Sequence, residues 1–273
     1  MKKYFLHIIL SICSFSGFSQ DIQGTLTFAD SLFATQNYEY AIKNYKRVLF
    51  FGDDKLNEII QPKLANCFLL LDDYEKALFH YNLAYSYTSN DSLSNEYLFK
   101  RVLIYIIQNQ PYSALQELYN ISVDSSAIQF KRREFFHAVI DFQNNQFESA
   151  ENHFLYAQND TIKANQIIAL FDQYNLNKPK TKTARILSMF IPGAGQLYAG
   201  DVKNAANSLI LTSGLTLLFI VTTKNYSLLD AFISVLPWIN RYYVGGFTSA
   251  GHIAAQKIEE KKQKLYHEIL LLF

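Results

Sequence analysis

The residues able to do chemistry are few, and their spacing points away from a catalytic centre. Of six histidines, His7 lies in an N-terminal apolar stretch. His80, His137, His153, His252 and His267 form neither an H-E-x-x-H pair nor a cysteine–histidine cluster at zinc spacing, so no metal is expected. Asp53-Asp54 and Asp72-Asp73 are adjacent carboxylates of the kind that share acid and base roles, yet both fall between helical stretches, where they read as solvated turn residues. There is no G-x-S-x-G, and Cys67 sits on an apolar helix face with no evident base beside it. The run Pro192, Gly193, Ala194, Gly195, Gln196, Leu197, Tyr198 carries glycines of the type that expose backbone amides to phosphate. Its G-x-G-x4-G spacing, with no strand before it and no Lys-Ser or Lys-Thr after it, fits neither the dinucleotide nor the P-loop pattern, so it reads as a turn. Asp230 and Arg241 are charges in an otherwise apolar segment, eleven residues apart. On one helix that separation is about 16 Å, too far for a direct pair. Ser227 to Asp230 reads as a helix cap, and Arg241 beside Trp238, Tyr242 and Tyr243 as an interfacial anchor. Neither an enzyme nor a cofactor is expected.

The elements that carry these residues are repeated. An aromatic or proline, an alanine three residues on and a large apolar residue four further recur as Tyr38/Ala41/Tyr45, Tyr74/Ala77/Tyr81, Pro111/Ala114/Leu118 and Phe147/Ala150/Phe154, with alanine spacings of 36, 37 and 36. A period of that length belongs to stacked helical hairpins. Each alanine marks a close helix crossing, and small residues twelve earlier, Ala29, Ala65, Val102 and Ala138, supply the other half. Polar turns join the two helices: Gln36-Asn37, Asp72-Asp73, Asn109-Gln110 and Asn144-Asn145-Gln146. Pro111 falls about where a first helical residue would, a position that tolerates proline.

Residues 22 to 158 resemble tetratricopeptide repeats, on the strength of "NYEYAIKNYKRVL", "DYEKALFHYNLAY" and "QFESAENHFLYAQ". The resemblance is looser in the third copy, and the family's tryptophan and glycine are missing from the first helices. It implies an all-α solenoid whose inner groove is lined by one face of each first helix. Carried across position by position, that groove is Asp30 and Phe33, Asn66 and Leu69, Leu103 and Ile106, then Arg132, Phe135, Val139 and Phe142. So apolar a face suits an apolar peptide or an amphipathic helix. The same residues are also suited to packing between neighbouring repeats or against the C-terminal part.

The ends divide the rest. Residues 1 to 19, with Lys2 and Lys3 before a short apolar stretch and small residues at Gly17 and Ser19, read as an export signal cleaved before Gln20, the alternative being a retained anchor. Cys13 also suggests a lipidated thiol, but Ile12 is bulky where a small neighbour is needed. Loss of the signal leaves 23 basic residues of the 25 against 24 acidic, so nucleic acid is not an expected partner. A helix over 161 to 176, within a segment 159 to 177, caps the array. A basic linker over 178 to 185 follows, with Lys178, Lys180, Lys182 and Arg185 placed to meet anionic lipid.

From 186 to 255 a membrane module is expected. Ala205 to Thr223 is uncharged and long enough to span, and Ser227 to about Phe247 is a return span, giving a transmembrane helical hairpin. Small residues every fourth position, Gly246, Ala250 and Ala254, permit close packing or self-association. The stretch from Lys180 to Ala255 resembles an uncharacterised bacterial membrane domain with a P-G-x-G-Q-x-Y core, similar to small two-transmembrane-helix domains. Pro192, Gly193, Gly195, Gln196 and Tyr198 match that core. The resemblance implies location and architecture, and no mechanism. Export of the array would put the basic linker outside, against the usual cytoplasmic excess of Lys and Arg. Residues 256 to 273 make a separate C-terminal helix whose apolar end, "EILLLF", is suited to docking back on the repeats.

The expectation is a non-enzymatic, membrane-tethered adaptor of the bacterial envelope, in the inner membrane with its repeats in the periplasm, holding a protein or peptide in the groove and touching membrane lipid. A transport or secretion component whose hairpin oligomerises is the rival reading. A membrane enzyme using Asp230 and Arg241 is the third.

Overall fold

A computed structural model describes residues 21–122 and 127–273, and the expected export signal lies outside them. Among the described residues every regular element is helical: fourteen α-helices, one short 3-10 helix and no strand. The chain divides into two compact units, the first ending at Gln146 and the second starting at Phe147.

The first unit contains α1 (Ile22–Ala34), α2 (Tyr38–Phe51), α3 (Asn57–Leu70), α4 (Tyr74–Tyr87), α5 (Asp91–Ile107), α6 (Pro111–Asn120) and α7 (Ala127–Gln143). Its main packing joins each helix to the next in the chain. Pro111 opens α6, where its missing N–H has no intrahelical partner to lose. Ala29, Ala41, Ala65, Ala77, Val102, Ala114 and Ala138 are all fully buried, so the small residues of the repeat sit where helices meet.

The turns repeat as strictly as the alanines. Gln36, Asp72, Asn109 and Asn145 all take positive φ, between 55° and 62°, at spacings of 36, 37 and 36 residues. Around each, the same hydrogen bonds close the first helix. The next residue's N–H reaches back five positions, Asn37 to Leu32, Asp73 to Phe68, Gln110 to Tyr105 and Gln146 to Asp141, all at 2.8–2.9 Å. This double back-bond satisfies carbonyls that a helix end leaves free. A non-glycine residue in the left-handed region costs on the order of 1 kcal/mol, so four such turns are held by the packing on either side.

The second unit contains α8 (Phe147–Ala157), α9 (Thr161–Tyr174), α10 (Thr181–Phe190), α11 (Ala194–Tyr198), α12 (Val202–Asn225), α13 (Leu228–Ser234) and α14 (Leu236–Leu270). The boundary between units therefore falls inside the fourth sequence copy, whose first helix is α7 and whose second is α8. The expected cap is α9. The basic linker is partly helical, since α10 begins at Thr181 and buries Ala184 and Ser188. The expected return span is interrupted. Residues 228–234 form α13, and α14 starts afresh with Pro237 in its first turn, a residue with no N–H for a continuing helix. Asp230 and Arg241 thus lie on different helices. No separate C-terminal helix begins at 256, because α14 runs unbroken for 35 residues. Its far end docks on α8 and α9: Tyr174 donates to Glu268 at 2.6 Å, Lys163 to the Leu272 carbonyl at 2.7 Å, and Phe273 lies 5.8 Å from Phe154. The apolar terminus does turn back, onto the second helix of the fourth copy.

Among the described residues one helix, α12, is long and apolar enough to cross a membrane, and little of it is buried. Leu209, Ile210, Leu217, Leu218, Ile220 and Val221 are all exposed along it.

Candidate functional site

Of the ten positions expected to line a groove, eight occupy equivalent places in α1, α3, α5 and α7, and Arg132 and Phe135 lie earlier in α7. Phe33, Leu69, Ile106 and Phe142 each accept the N–H of the left-handed turn residue three positions on, at 3.0–3.2 Å. One helical turn earlier stand Asp30, Asn66, Leu103 and Val139. Their surroundings differ. Tyr45 donates to Asp30 and Tyr81 to Asn66, each at 2.6 Å across fifteen residues. The matching sequence positions are apolar in the later copies, Leu103 and Leu118 in the third and Val139 and Phe154 in the fourth. A buried tyrosine hydroxyl needs a hydrogen-bond partner that leucine does not, so a polar residue accompanies the tyrosine in the first two copies.

Ion pairs link alternate helices across this face. Lys63 of α3 reaches both Asp30 oxygens at 2.6 and 2.7 Å. Arg132 of α7 bonds Glu96 of α5 and lies 4.2 Å over the Phe99 ring. Burial pushes the Asp30 carboxyl up, but the bonds from Lys63 and Tyr45 outweigh it and hold the group below its ordinary value. Asp30, Phe33, Asn66, Leu69, Leu103, Arg132 and Phe135 are half-buried and partly accessible, whereas Ile106, Val139 and Phe142 are buried. Lys63 and Glu96 were not singled out from sequence, because their partners lie 33 and 36 residues away.

Several titratable groups in the first unit are tied up structurally, by burial or by a hydrogen bond. Cys67 is fully buried, and burial pushes its thiol up to about 12, so no thiolate nucleophile forms near neutrality. Asp73 caps α4 through the Lys76 N–H, and Asp72 accepts from Tyr74 at 2.8 Å, so the paired carboxylates are turn residues. His80 stacks on Phe68 and shares a 2.7 Å bond with Gln61, whose own amide donates to Asn57. Gln61 therefore presents its carbonyl, and the imidazole donates from Nδ1. Burial, then the nearby Lys46 charge, lowers the His80 pKa from 6.5 to about 4. The fold favours the neutral ring, so its contribution is full above pH 6.5 and is lost as pH falls through about 4. His80→Gln is expected to reduce the loss of denaturation midpoint between pH 7 and pH 4.5 relative to wild type. An unchanged pH slope would assign the acid sensitivity elsewhere.

In the second unit the P-G-x-G-Q-x-Y core is a packing hub. Gly193 and Gly200 take positive φ, 91° and 83°. A Cβ on Gly195 would stand 1.8 Å from the Ala184 carbonyl, and the Gly195 N–H donates to Ser188 Oγ at 2.9 Å. Ser188 Oγ in turn donates to Gln196 Oε1 at 2.7 Å, and Gln196 Nε2 to the Gly246 carbonyl at 2.8 Å. One buried glutamine thus ties α10, α11 and α14. Tyr198 accepts from the Lys180 N–H at 3.2 Å, and Pro192 follows the end of α10. Ser188 and Gly246 carry no local signal of this role, because their partner is remote in sequence.

The remaining charges have local explanations. Ser227 Oγ accepts the Asp230 N–H at 3.1 Å and donates to its carboxylate at 2.6 Å, capping α13. The Arg241 guanidinium lies 5.8 Å over Trp238. No family model matches the chain, and no curated protein or solved structure matches it either.

Proposed function

We propose that the chain is a non-enzymatic adaptor of the bacterial envelope, held in the inner membrane by α12 with its tetratricopeptide-like repeats in the periplasm, where they bind a protein or peptide. The observation that carries this reading is the fourfold turn, with left-handed residues and identical back-bonds recurring at the alanine period. Repetition of that kind builds an extended surface rather than a pocket, and such surfaces hold chains. The Lys63–Asp30 and Arg132–Glu96 pairs support it, because they lie between alternate helices, as side-by-side first helices require. Membrane attachment rests on α12 and its exposed apolar side chains.

The binding face is tested at its partly accessible apolar positions, since a charge at buried Ile106 would disturb folding instead. Leu69→Glu with Leu103→Glu is expected to leave the helical circular dichroism unchanged. Retention of the principal co-purifying protein from gently solubilised membranes should fall by at least about tenfold, or ~1.4 kcal/mol. Equal retention by the double variant would reject this face.

A further inference from the structure

α12 carries hydroxyls of two kinds. Thr216 and Thr223 donate to the carbonyls four residues back, at 2.8 and 2.9 Å, the usual way a helix hides such a group. Ser208 and Thr212 do not. Their oxygens are buried with no hydrogen-bond partner, and Thr212 is only 8% exposed. Both residues line a cavity of about 350 Å³ between α12 and α14. An unsatisfied buried hydroxyl costs about 1–3 kcal/mol, so two on residues that line one cavity are donors that a rotation about χ1 could offer to an occupant.

The rest of the lining states what that occupant is. Asn207 and Ser249 add an amide and a hydroxyl donor, Asn204 already donates to Asp201 at 2.6 Å, and Arg241 is the only charged residue of the lining itself. Arg241 makes no ion pair among the described residues, and its guanidinium lies over the face of Trp238. Gly245 and Gly246 keep the α14 wall low. A methyl on Gly246 would come within 2.8 Å of Ser208 Oγ, and Gly245 faces open space. Asn204 is in the first turn of α12, and Thr212 lies about 12 Å further along the helix. The lining polar residues of α12 are therefore spread along about two turns of the helix, and Arg241 comes from α14.

We propose that this cavity binds a phosphate group, with Arg241 as counter-charge and Ser208 and Thr212 as hydroxyl donors. A planar guanidinium offers two parallel N–H bonds to a tetrahedral oxyanion, and the neutral donors fill its other lone pairs. The phosphate comes from a lipid headgroup or from a soluble ion. The exposed apolar flank of α12 favours the lipid, whose acyl chains would lie along it. This last step rests on the membrane reading of α12, whereas the anion chemistry does not.

The chain reports on its own site, because Trp238 is its only tryptophan and lies beneath Arg241. Full-length protein in a maltoside detergent, free of phospholipid, is titrated with dioleoyl-phosphatidylglycerol, dioleoylglycerol or inorganic phosphate while Trp238 fluorescence is followed. Phosphatidylglycerol is expected to give a saturable change that dioleoylglycerol does not. Apparent affinity should fall at least tenfold in Thr212→Val, which keeps side-chain shape, and in Arg241→Gln, with Arg241→Lys between. Saturation by inorganic phosphate with the same variant losses supports the site with a soluble source, and sinks only the lipid assignment. No saturation with either phosphate, equal saturation by dioleoylglycerol, or undiminished affinity in both Thr212→Val and Arg241→Gln overturns the proposal. Unchanged helicity of Thr212→Val keeps its result interpretable should Arg241→Gln fail to fold.

Discussion

Gly195→Ala is expected to dismantle the C-terminal unit. The added methyl would lie 1.8 Å from the Ala184 carbonyl and 2.6 Å from Ser188 Oγ. A side chain could swing aside, but a backbone carbonyl inside α10 moves only if the helix moves. Displacing α10 would break the Ser188–Gln196–Gly246 chain and uncover the contact of Ala184 with Ala250 and Ala254. Overpacking alone costs about 1–3 kcal/mol, and orphaning a buried glutamine about 1–3 more, so a loss above about 3 kcal/mol is expected. Gly200→Ala separates this from backbone strain. It has φ of 83° but nothing within 4 Å, so only the left-handed penalty of about 1–2 kcal/mol applies. Thermal denaturation in detergent, followed by circular dichroism, should rank wild type above Gly200→Ala and Gly200→Ala well above Gly195→Ala. If the two glycine variants melt together, the close approach of α11 to α10 is not what holds the unit.

The second large effect is expected at Tyr81. Its ring is 1% exposed and its hydroxyl bonds Asn66. Tyr81→Ala removes a whole aromatic side chain from between α3, α4 and α5, and aromatic-to-alanine changes in cores cost about 3–5 kcal/mol. Tyr81→Phe keeps the ring and deletes only the bond, for about 0.5–1.5 kcal/mol. Phe in place of the tyrosine, with Asn66→Leu, puts apolar residues at both positions, as the third copy has with Leu103 and Leu118, and should recover part of that smaller loss. Urea denaturation read by circular dichroism checks the order. A double variant no more stable than Tyr81→Phe would mean that the two kinds of contact are not interchangeable.

Much of the first unit was legible because its determinants are local and periodic. The alanines, the polar turns and the N1 proline each act within a few residues, so spacing alone fixes where helices end and touch. The left-handed residues fall at the turns that sequence marked. What sequence missed depends on distance or on competition. Lys63–Asp30 and Arg132–Glu96 join residues 33 and 36 apart, and nothing local announces either. Of ten groove positions, Ile106, Val139 and Phe142 are buried, because hydrophobicity does not distinguish a face awaiting a partner from one already covered. In the second unit, apolar content suggested an unbroken return span, but Pro237 outweighed it and split α13 from α14. The charged run after Gln256 suggested a new helix, yet good helix formers with no breaker simply prolong α14. The glutamine hub was visible as a motif and mute as to purpose, since its partners are a serine eight residues before it and a carbonyl fifty residues after it.

The unbroken length of α14 has a mechanical consequence. Gly246 receives Gln196 near one end and Glu268 receives Tyr174 near the other, about 33 Å apart along a single rod. A rod of that kind cannot turn at one anchorage and stay still at the other. Any torque applied where the rod borders the cavity must be absorbed at the Tyr174 clasp, so the two ends behave as one lever.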